Sequence, residues 1–472
     1  MDERRPTLSG HLGELLPPPP ATLHLEDWGE GLQIAPATGY RAPEEGRPAH
    51  VVVWNATGSQ DPSDCLQRLD GHLDEDSSLV VAVALPAATG RKASKHQGRL
   101  PTRDQEQLRR VVLALSEGGF QVHRDREVIS SDAGAWHLLR ARRDAFRIRP
   151  YRAGDEEAIL ELFPRCFHVP RSREHWDWKY AGNPWGRHHL SVATSEGTLA
   201  CHYAGYPVPF WWHDPKKGPK TFNALQMGDT MTNPDFREVG RGRSGLLART
   251  VRHFFAIHRG GPLGFFYGFN TGPIQRFCNW FIGGTRVQPV GFWTLDLAEG
   301  PLSAFEHRSY LVDLAKTVDG SWNRLFSRVA PEIGFLVARD ARWIEWRYLQ
   351  CPDVDYTVIG AWHWGRLVGW SVFRRRDDRL VWGDALYLRR HRSAAVAVLR
   401  RALELPEFQG VTGVDAWFSS HPSEWLEQLA ELGFASRPEP NDLALMALPE
   451  AEPEAAESLA RLYYTMGDGD LF

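Results

Sequence analysis

The chain has 472 residues, 42% hydrophobic and 24% charged, with a formal net charge of -4, which exceeds what one core serves and points to about three domains of roughly 150 residues. That balance excludes an extensively disordered chain and gives no general electrostatic footprint for nucleic acid. No run approaches the ~18 apolar residues of a membrane-crossing helix, the first twenty residues lack a secretory pattern, and the five cysteines stand singly without metal-like spacing, so a cytoplasmic protein with reduced thiols, no metal and no membrane span is expected. The 19 tryptophans are expected in cores and domain interfaces.

Residues 1–20 end in four prolines and read as a flexible segment. A first domain over 21–145 follows. HVVVW (His50 to Trp54) and LVVAVAL (Leu79 to Leu85) are short, β-branched and bounded by turn residues, as buried parallel strands are. Between them Pro62 to Leu73 predicts a helix with Leu66, Leu69 and Leu73 on one face. Thr102 can cap a second helix that runs to Glu117, carries Leu108, Val111, Val112 and Leu115, and stops at Gly118-Gly119. Strand, helix, strand, helix predicts a parallel sheet with right-handed crossovers.

The phrases HVVVWN, DPSDCLQRL, SSLVVAVALP, LPTRDQEQLRRVVLALSEGGFQV and WHLLRARR resemble the C-terminal half of a class I methyltransferase, a truncated Rossmann-like domain. Such enzymes hold S-adenosylmethionine on a glycine-rich turn after their first strand. Here that turn would fall in TLHLEDWGEGLQI, with Gly29 and Gly31 alone. A scaffold is therefore expected in place of S-adenosylmethionine binding.

From Phe146 the pattern becomes a strand and then a helix started by Asp155 with Ile159, Leu160, Leu162 and Phe163 on its apolar face. LSVATSEG and TLACHYAGYPVPFWW form a strand pair about a Ser-Glu-Gly turn, and ALQMGDTMTNP makes another strand. In PDFREVGRGRSGLLARTVRHFFAIH, Arg237, Gly240 and Gly242 satisfy R-x-x-G-x-G directly before an amphipathic helix with Leu246, Leu247, Val251 and Phe255. Glycines allow close backbone approach to an anion, amides from Glu238 to Ser244 can point inward, and the helix N-terminus adds partial positive charge. Arg241, Arg243 and Arg249 would add cations. The alternative is a loop that simply turns into a helix.

The order strand, helix, three strands, phosphate loop, helix, strand GFFYGFN and helix PIQRFCNWFIG resembles the GNAT N-acyltransferases over Phe146 to Leu297, a domain taken as 146–300. DTMTNPDFR before the loop and YGFN before a short helix ending in Gly283-Gly284 also look like that superfamily. The spacing from Gly242 to the helix leucines is about one residue longer than usual. The resemblance implies that acetyl-CoA or another acyl-CoA binds with its diphosphate on Arg237, Glu238, Val239, Gly240, Arg241, Gly242, Arg243 and Ser244. Its pantetheine arm would lie between strands that end near Met231-Thr232 and Asn270, with backbone amides polarising the thioester carbonyl, a device worth ~2.7–4 kcal/mol per donor. Asp229 is the candidate base, Tyr267 the candidate acid and His202 a second candidate base. Each has a plainer reading, as a strand hydrogen bond, a packing phenol and a satisfied core histidine.

Trp178-Lys179-Tyr180 followed by Pro184 recurs as Trp346-Arg347-Tyr348 followed by Pro352, and both precede a strand, a glycine turn and a strand. A tandem GNAT arrangement is expected, its degenerate second copy spanning 301–449 and a tail with a short helix covering 450–472. Where the first copy has REVGRGRSG, the second has YLRRHRSAAVAVLRRAL, without the glycines. The second copy is expected to wall the acceptor cleft; Arg389, Arg390, His391 and Arg392 either meet an anionic acceptor or form a solvated face.

The leading expectation is an α/β acyl-CoA-dependent N-acyltransferase acting on an amine, such as an amino sugar or surface-polysaccharide precursor. The alternatives are a non-catalytic pseudoenzyme scaffold and a Fem-like aminoacyl-tRNA-dependent transferase. Motifs for Ser/His/Asp hydrolysis, a Walker A loop and HExxH chemistry are absent from the sequence.

Overall fold

The computed structural model describes residues 23–27, 51–55, 61–69, 78–85, 106–130, 134–214, 217–240, 242–298, 310–450, 459–470 and 472. The proline-rich start, Gly29, Gly31, Leu73, Thr102, Arg241 and the expected domain division at 300 lie outside the described residues. The chain is a mixed α/β protein that divides into two compact units, one of residues 1–166, 190–203 and 231–260, the other of 167–189, 204–230 and 261–472.

In the first unit, β1 (Leu23–Asp27), β2 (Val51–Asn55), β3 (Ser78–Leu85), β4 (Phe120–Ser130) and β5 (Gly134–Arg143) form a sheet of order β1-β2-β3-β5-β4. The first three strands run parallel and β5 runs antiparallel to both of its neighbours. The helices α1 (Pro62–Leu69) and α2 (Glu106–Glu117) supply Leu66, Leu108, Val111 and Leu115 to a core with Leu79, Val81 and Leu139. Gly119, at φ +80°, ends α2 in a conformation that a side chain disfavours.

The same unit holds β6 (Arg147–Pro150), α3 (Asp155–Phe167) to Cys166, β7 (His189–Ser195) from Leu190, and the start of β8 (Thr198–Asp214). Strands β7 and β8 are joined by Glu196 and Gly197, both at positive φ, as a two-residue hairpin requires. Arg149 clamps Asp155 at 2.7 Å and so fixes the start of α3 to β6. The end of β9 (Gly218–Thr232) leads through a loop into α5 (Leu246–His258), whose Leu246 packs with Phe146, Ile148, Ala193 and Ala200.

In the second unit, α4 (Arg173–Trp176) comes first along the chain, β8 and β9 continue beside β10 (Phe265–Asn270), which α6 (Gly272–Phe277) follows, and β11 (Thr285–Pro289). A second sheet is built from β12 (Phe292–Asp296), β13 (Leu311–Leu314), β15 (Thr357–His363), β16 (Arg366–Arg376), β17 (Arg379–Tyr387), β18 (Gly413–Trp417) and β19 (Ala435–Arg437). Helices α7 (Gly320–Ile333), α8 (Ala341–Ile344), α9 (Ala394–Glu404) and α10 (Glu424–Glu431) accompany these strands, and β14 (Phe335–Val337) pairs with β8.

Two strands change places. The early β12 lies between β18 and β19, whereas β20 (Ala444–Pro449) lies between β10 and β11. Each sheet is therefore completed by a strand from the other half of the repeat, which pairs backbone groups that would otherwise form open edges.

Candidate functional site

In the first unit the segment between β9 and α5 is a tight, exposed loop. Asn233 anchors it, its amide donating to the Leu199 carbonyl at 3.1 Å and its Oδ1 accepting from the Asp235 N–H. The Val239 amide donates to the Phe236 carbonyl and the Leu246 amide to that of Val239, which closes the loop on the first residue of the helix. Gly240 and Gly242 sit at φ +67° and +57°. A Cβ on Gly240 would strike the Ser244 carbonyl, whereas one on Gly242 would meet open space. Only the first glycine is thus required twice over, by conformation and by contact.

Arg237, Glu238, Gly242, Arg243 and Ser244 are exposed and Val239 is half-buried. Arg237 donates to the Thr232 carbonyl at 3.4 Å. Arg249, expected among the loop's cations, is instead buried and paired with Asp144. Met231 is buried, and the Thr232 hydroxyl stands 3.7 Å from the Cys201 sulfur. His202 is fully buried in β8.

In the second unit the recurring tripeptide belongs to a longer repeat. Arg171, Trp178, Lys179 and Tyr180 recur 168 residues later as Arg339, Trp346, Arg347 and Tyr348. A side-chain cap, Ser172 or Asp340, starts each short helix, which then opens into one π-helical turn, 177–181 or 345–349. The two tryptophans stack at 4.8 Å and 19°. Each indole N–H donates to the other's backbone carbonyl, at 2.7 and 3.3 Å. Reciprocity of this kind is the mark of a local two-fold relation between copies.

Each repeat ends on a buried aspartate that follows a strand glycine. Asp229 in β9, at φ +49°, accepts from Arg171 (2.9 Å), Lys179 (3.0 Å) and Tyr180 (2.7 Å). Asp384 in β17 accepts from Arg339 (2.9 Å), Tyr348 (2.6 Å) and Thr465 (2.8 Å). Burial alone would raise the Asp229 pKa, but the Lys179 and Arg171 charges and the Tyr180 hydroxyl outweigh it and hold the carboxyl well below its usual range. Asp229 is therefore anionic and has little affinity for a proton. His175 is driven down to about 3 by burial and by the Arg171 and Lys179 charges, and so stays neutral.

A fork opens beside this cluster. Strands β9 and β10 pair in parallel at Leu225/Phe266 and Gln226/Tyr267, after which β9 runs on to Thr232 and β10 to Asn270. At the last pair the Tyr206 and Tyr267 hydroxyls both donate to Gln226 Oε1, at 2.6 and 3.1 Å. Tyr267 is buried, which pushes its phenol well above the ordinary range and keeps it neutral. Lys179 Nζ lies 5.0 Å from the Tyr206 ring centroid and 3.5 Å from Asp470, whose carboxylate occupies the space a side chain on Gly228 would take. Asn270 reaches the Cys278 sulfur at 3.4 Å, while its carbonyl accepts from Gln275.

Of the expected residues, Asp229 and Tyr267 fall within this second-unit cluster. Met231, Thr232, His202 and the glycine loop belong to the first unit. Sequence reasoning missed Arg171, Tyr206, Gln226 and Asp470, and noted Lys179 for its repeat alone. The repeat extended back to Arg171 and forward to the Gly-Asp pairs at 228–229 and 383–384 would have found Arg171 and Lys179. Asp470 carried no local signal. Among the described residues no group of three or more His, Cys, Asp or Glu side chains is placed to hold a metal, and no helix is long and apolar enough to cross a membrane.

No protein-family model matches the chain, and no curated protein does. Among solved structures it is similar to a probable N-acyltransferase from Enterococcus faecalis V583, at 12% identity and a TM-score of 0.48 over 65% of this chain and 72% of that one. It is also similar to a GCN5-related N-acetyltransferase from Anabaena variabilis, at 13% and 0.46 over 64% and 72%. A tandem GNAT protein from the clavulanic acid biosynthesis pathway matches at 17% and 0.43 over 65% and 99%.

Proposed function

We propose that the chain is an acyl-CoA-dependent N-acyltransferase that moves an acetyl or other acyl group to an amine, an amino sugar being the acceptor to try first. The observation that carries the reading is the loop from Arg237 to Gly245. It follows β9 after one short helical turn at Pro234–Phe236, leads into a 13-residue helix, and uses a glycine at Gly240 where both φ and the Ser244 carbonyl exclude a side chain. Such a loop presents amides and a helix N-terminus to a diphosphate. Arg237 and Arg243, exposed on it, suit the same anion.

In the reaction the amine nitrogen attacks the thioester carbonyl carbon. A C–N bond forms and the C–S bond breaks, while the amine gives up a proton and the thiolate gains one. Tyr267 is the candidate acid: burial keeps its phenol protonated, and holds that proton more tightly than an ordinary phenol does. Two carboxylates compete for the base role: Asp229, held by three donors, and Asp470, a fifth exposed, with Lys179 at 3.5 Å and the Arg171 charge acting on it without a direct contact among the described residues. The weaker hold on Asp470 favours it, with Asp229 fixing Lys179 and Arg171. The sheet β1 to β5 is assigned a supporting role.

Calorimetric titration of acetyl-CoA into the full chain, repeated with Gly240→Trp, tests the reading. Micromolar binding abolished by the substitution supports it, and an amine screen follows. A folded wild-type protein that gives no heat with any acyl-CoA would leave the scaffold reading in its place.

A further inference from the structure

We infer that Gln226 is a further residue of the acyl-transfer site, its side-chain amide donating a hydrogen bond to the thioester carbonyl oxygen. The inference rests on the acyltransferase reading and deepens it. Gln226 is 1% exposed and stands at the last paired position before β9 and β10 part. The Tyr206 hydroxyl donates to Oε1 at 2.6 Å, and the Tyr267 hydroxyl reaches it at 3.1 Å with the Asp468 carbonyl as a longer second acceptor at 3.5 Å; this orients the amide with Oε1 towards the phenols and Nε2 away from both. Nε2 is buried and has no hydrogen-bond partner among the described residues. Buried donors of this kind are rare in folded proteins, because each carries its full desolvation cost, and an unmatched one calls for an acceptor.

The face to which Gln226 belongs favours an oxygen as that acceptor. Gln226 and Gly228 share one face of β9 by the two-residue strand period, and Lys179 Nζ and the Asp470 carboxylate stand over Gly228. A carbonyl at the fork would thus meet a neutral donor from Gln226 with a cation close by, while Asp470 lies where a departing amine proton could go. In the tetrahedral intermediate the oxygen carries negative charge, and a donor fixed in advance costs no reorganisation as that charge develops. Tyr206 acts as a positioning residue, Tyr267 holds the amide until its own proton passes to the leaving thiolate, and Gln226 makes the contact with the carbonyl oxygen.

The test uses the full chain with Gln226→Met, which removes the donor, and Gln226→Glu, which keeps an acceptor for both phenols but donates nothing. Coenzyme A and acetyl-CoA are titrated into each variant, and the infrared carbonyl band of bound carbonyl-labelled acetyl-CoA is recorded. Expected are unchanged coenzyme A affinity, acetyl-CoA affinity lowered severalfold, a band at lower frequency in wild type that returns towards its free position in both variants, and kcat down about 10²-fold with amine KM held. Equal weakening of both ligands, or a band that does not move between wild type and variants, overturns the inference and leaves the acyltransferase reading standing. Wild type that binds neither ligand overturns both.

Discussion

Asp468 gives the chain a measurable dependence of stability on pH. It is fully buried against Arg339, with Asp384 on the same guanidinium and Thr465 N–H donating to it. Two carboxylates thus share one cation. Burial pushes Asp468 up to about 6, Arg339 opposes that, and Asp384 reinforces it. An unfolded aspartate titrates near ~3.9, so between about pH 4 and 6 the folded chain holds a proton that the unfolded chain has released. Stability from this group is full below that window and is lost as pH rises through it, on the order of 2–3 kcal/mol. His175, lowered to about 3, acts in the opposite sense over an overlapping window, as do the lowered His123, His189 and His391; the whole-protein curve therefore mixes several groups. The difference between wild type and Asp468→Asn isolates the aspartate, because Asn keeps an acceptor for Thr465 and cannot ionise. Chemical denaturation at pH 4.5 and 7.5 should show the variant gaining on wild type by about 2 kcal/mol across the interval. A difference that stays flat with pH would falsify the account of a shared guanidinium.

Lys179→Met strips one of two cations from buried Asp229 and should cost about 3 kcal/mol by denaturant unfolding; a loss below about 1 kcal/mol shows that Arg171 alone suffices. A double-mutant cycle on Trp178→Ala and Trp346→Ala should give a coupling of at least ~1 kcal/mol, since stack and reciprocal indole bonds vanish together; additive costs contradict the reciprocal contact. Gly240→Ala, facing αL strain of ~1–2 kcal/mol and the Ser244 carbonyl, should weaken acetyl-CoA binding by roughly tenfold or more, and Gly242→Ala, facing open space, by less. The reverse ranking in calorimetry refutes the loop assignment.

Local pattern was legible wherever local physics decides it. The glycine loop, the helix that Gly118-Gly119 stops, and the hairpin at Glu196-Gly197 are each set by residues a few positions apart. The Trp-Lys-Tyr repeat was visible as well, because an internal duplication is a comparison of the chain with itself. What the pattern could not show are the pairings of distant segments. Nothing local in ALMALP, the sequence of β20, separates the sheet of β10 from the sheet of β18, and burial satisfies an apolar strand equally in either. Asp470 and Asp468 meet Lys179 and Arg339 across 291 and 129 residues (470 minus 179 and 468 minus 339), and no periodicity spans such separations. Arg249 misled because a cation near a glycine loop is read as serving it, whereas its partner Asp144 lies 105 residues away.

The two copies repeat the Trp-Lys/Arg-Tyr turn and the Gly-Asp strand pair and differ in what fills the fork. In the second copy β17 and β18 pair in parallel from Arg379/Gly413 to Trp382/Ala416. Beyond that point the segment from Tyr463 to Asp468 engages both strands. The Tyr463 hydroxyl donates to the Ala385 carbonyl at 2.6 Å, Thr465 bonds Asp384 and bridges to Phe418, and the Ser419 amide donates to the Tyr464 carbonyl. The Phe472 ring occupies the space a side chain on Gly383 would take. Downstream, Arg389–His391 leads to α9 without a glycine. An acyl-CoA at this fork would have to displace a segment whose Tyr463, Tyr464 and Thr465 are each about 1% exposed or less. Acetyl-CoA should therefore saturate the full chain at one molecule per chain in calorimetry, and Arg389→Ala with Arg390→Ala should leave its affinity unchanged. Two equivalents per chain, or a loss of affinity in that double variant, would place a donor site in the second copy and end the assignment of the glycine loop as the one that binds.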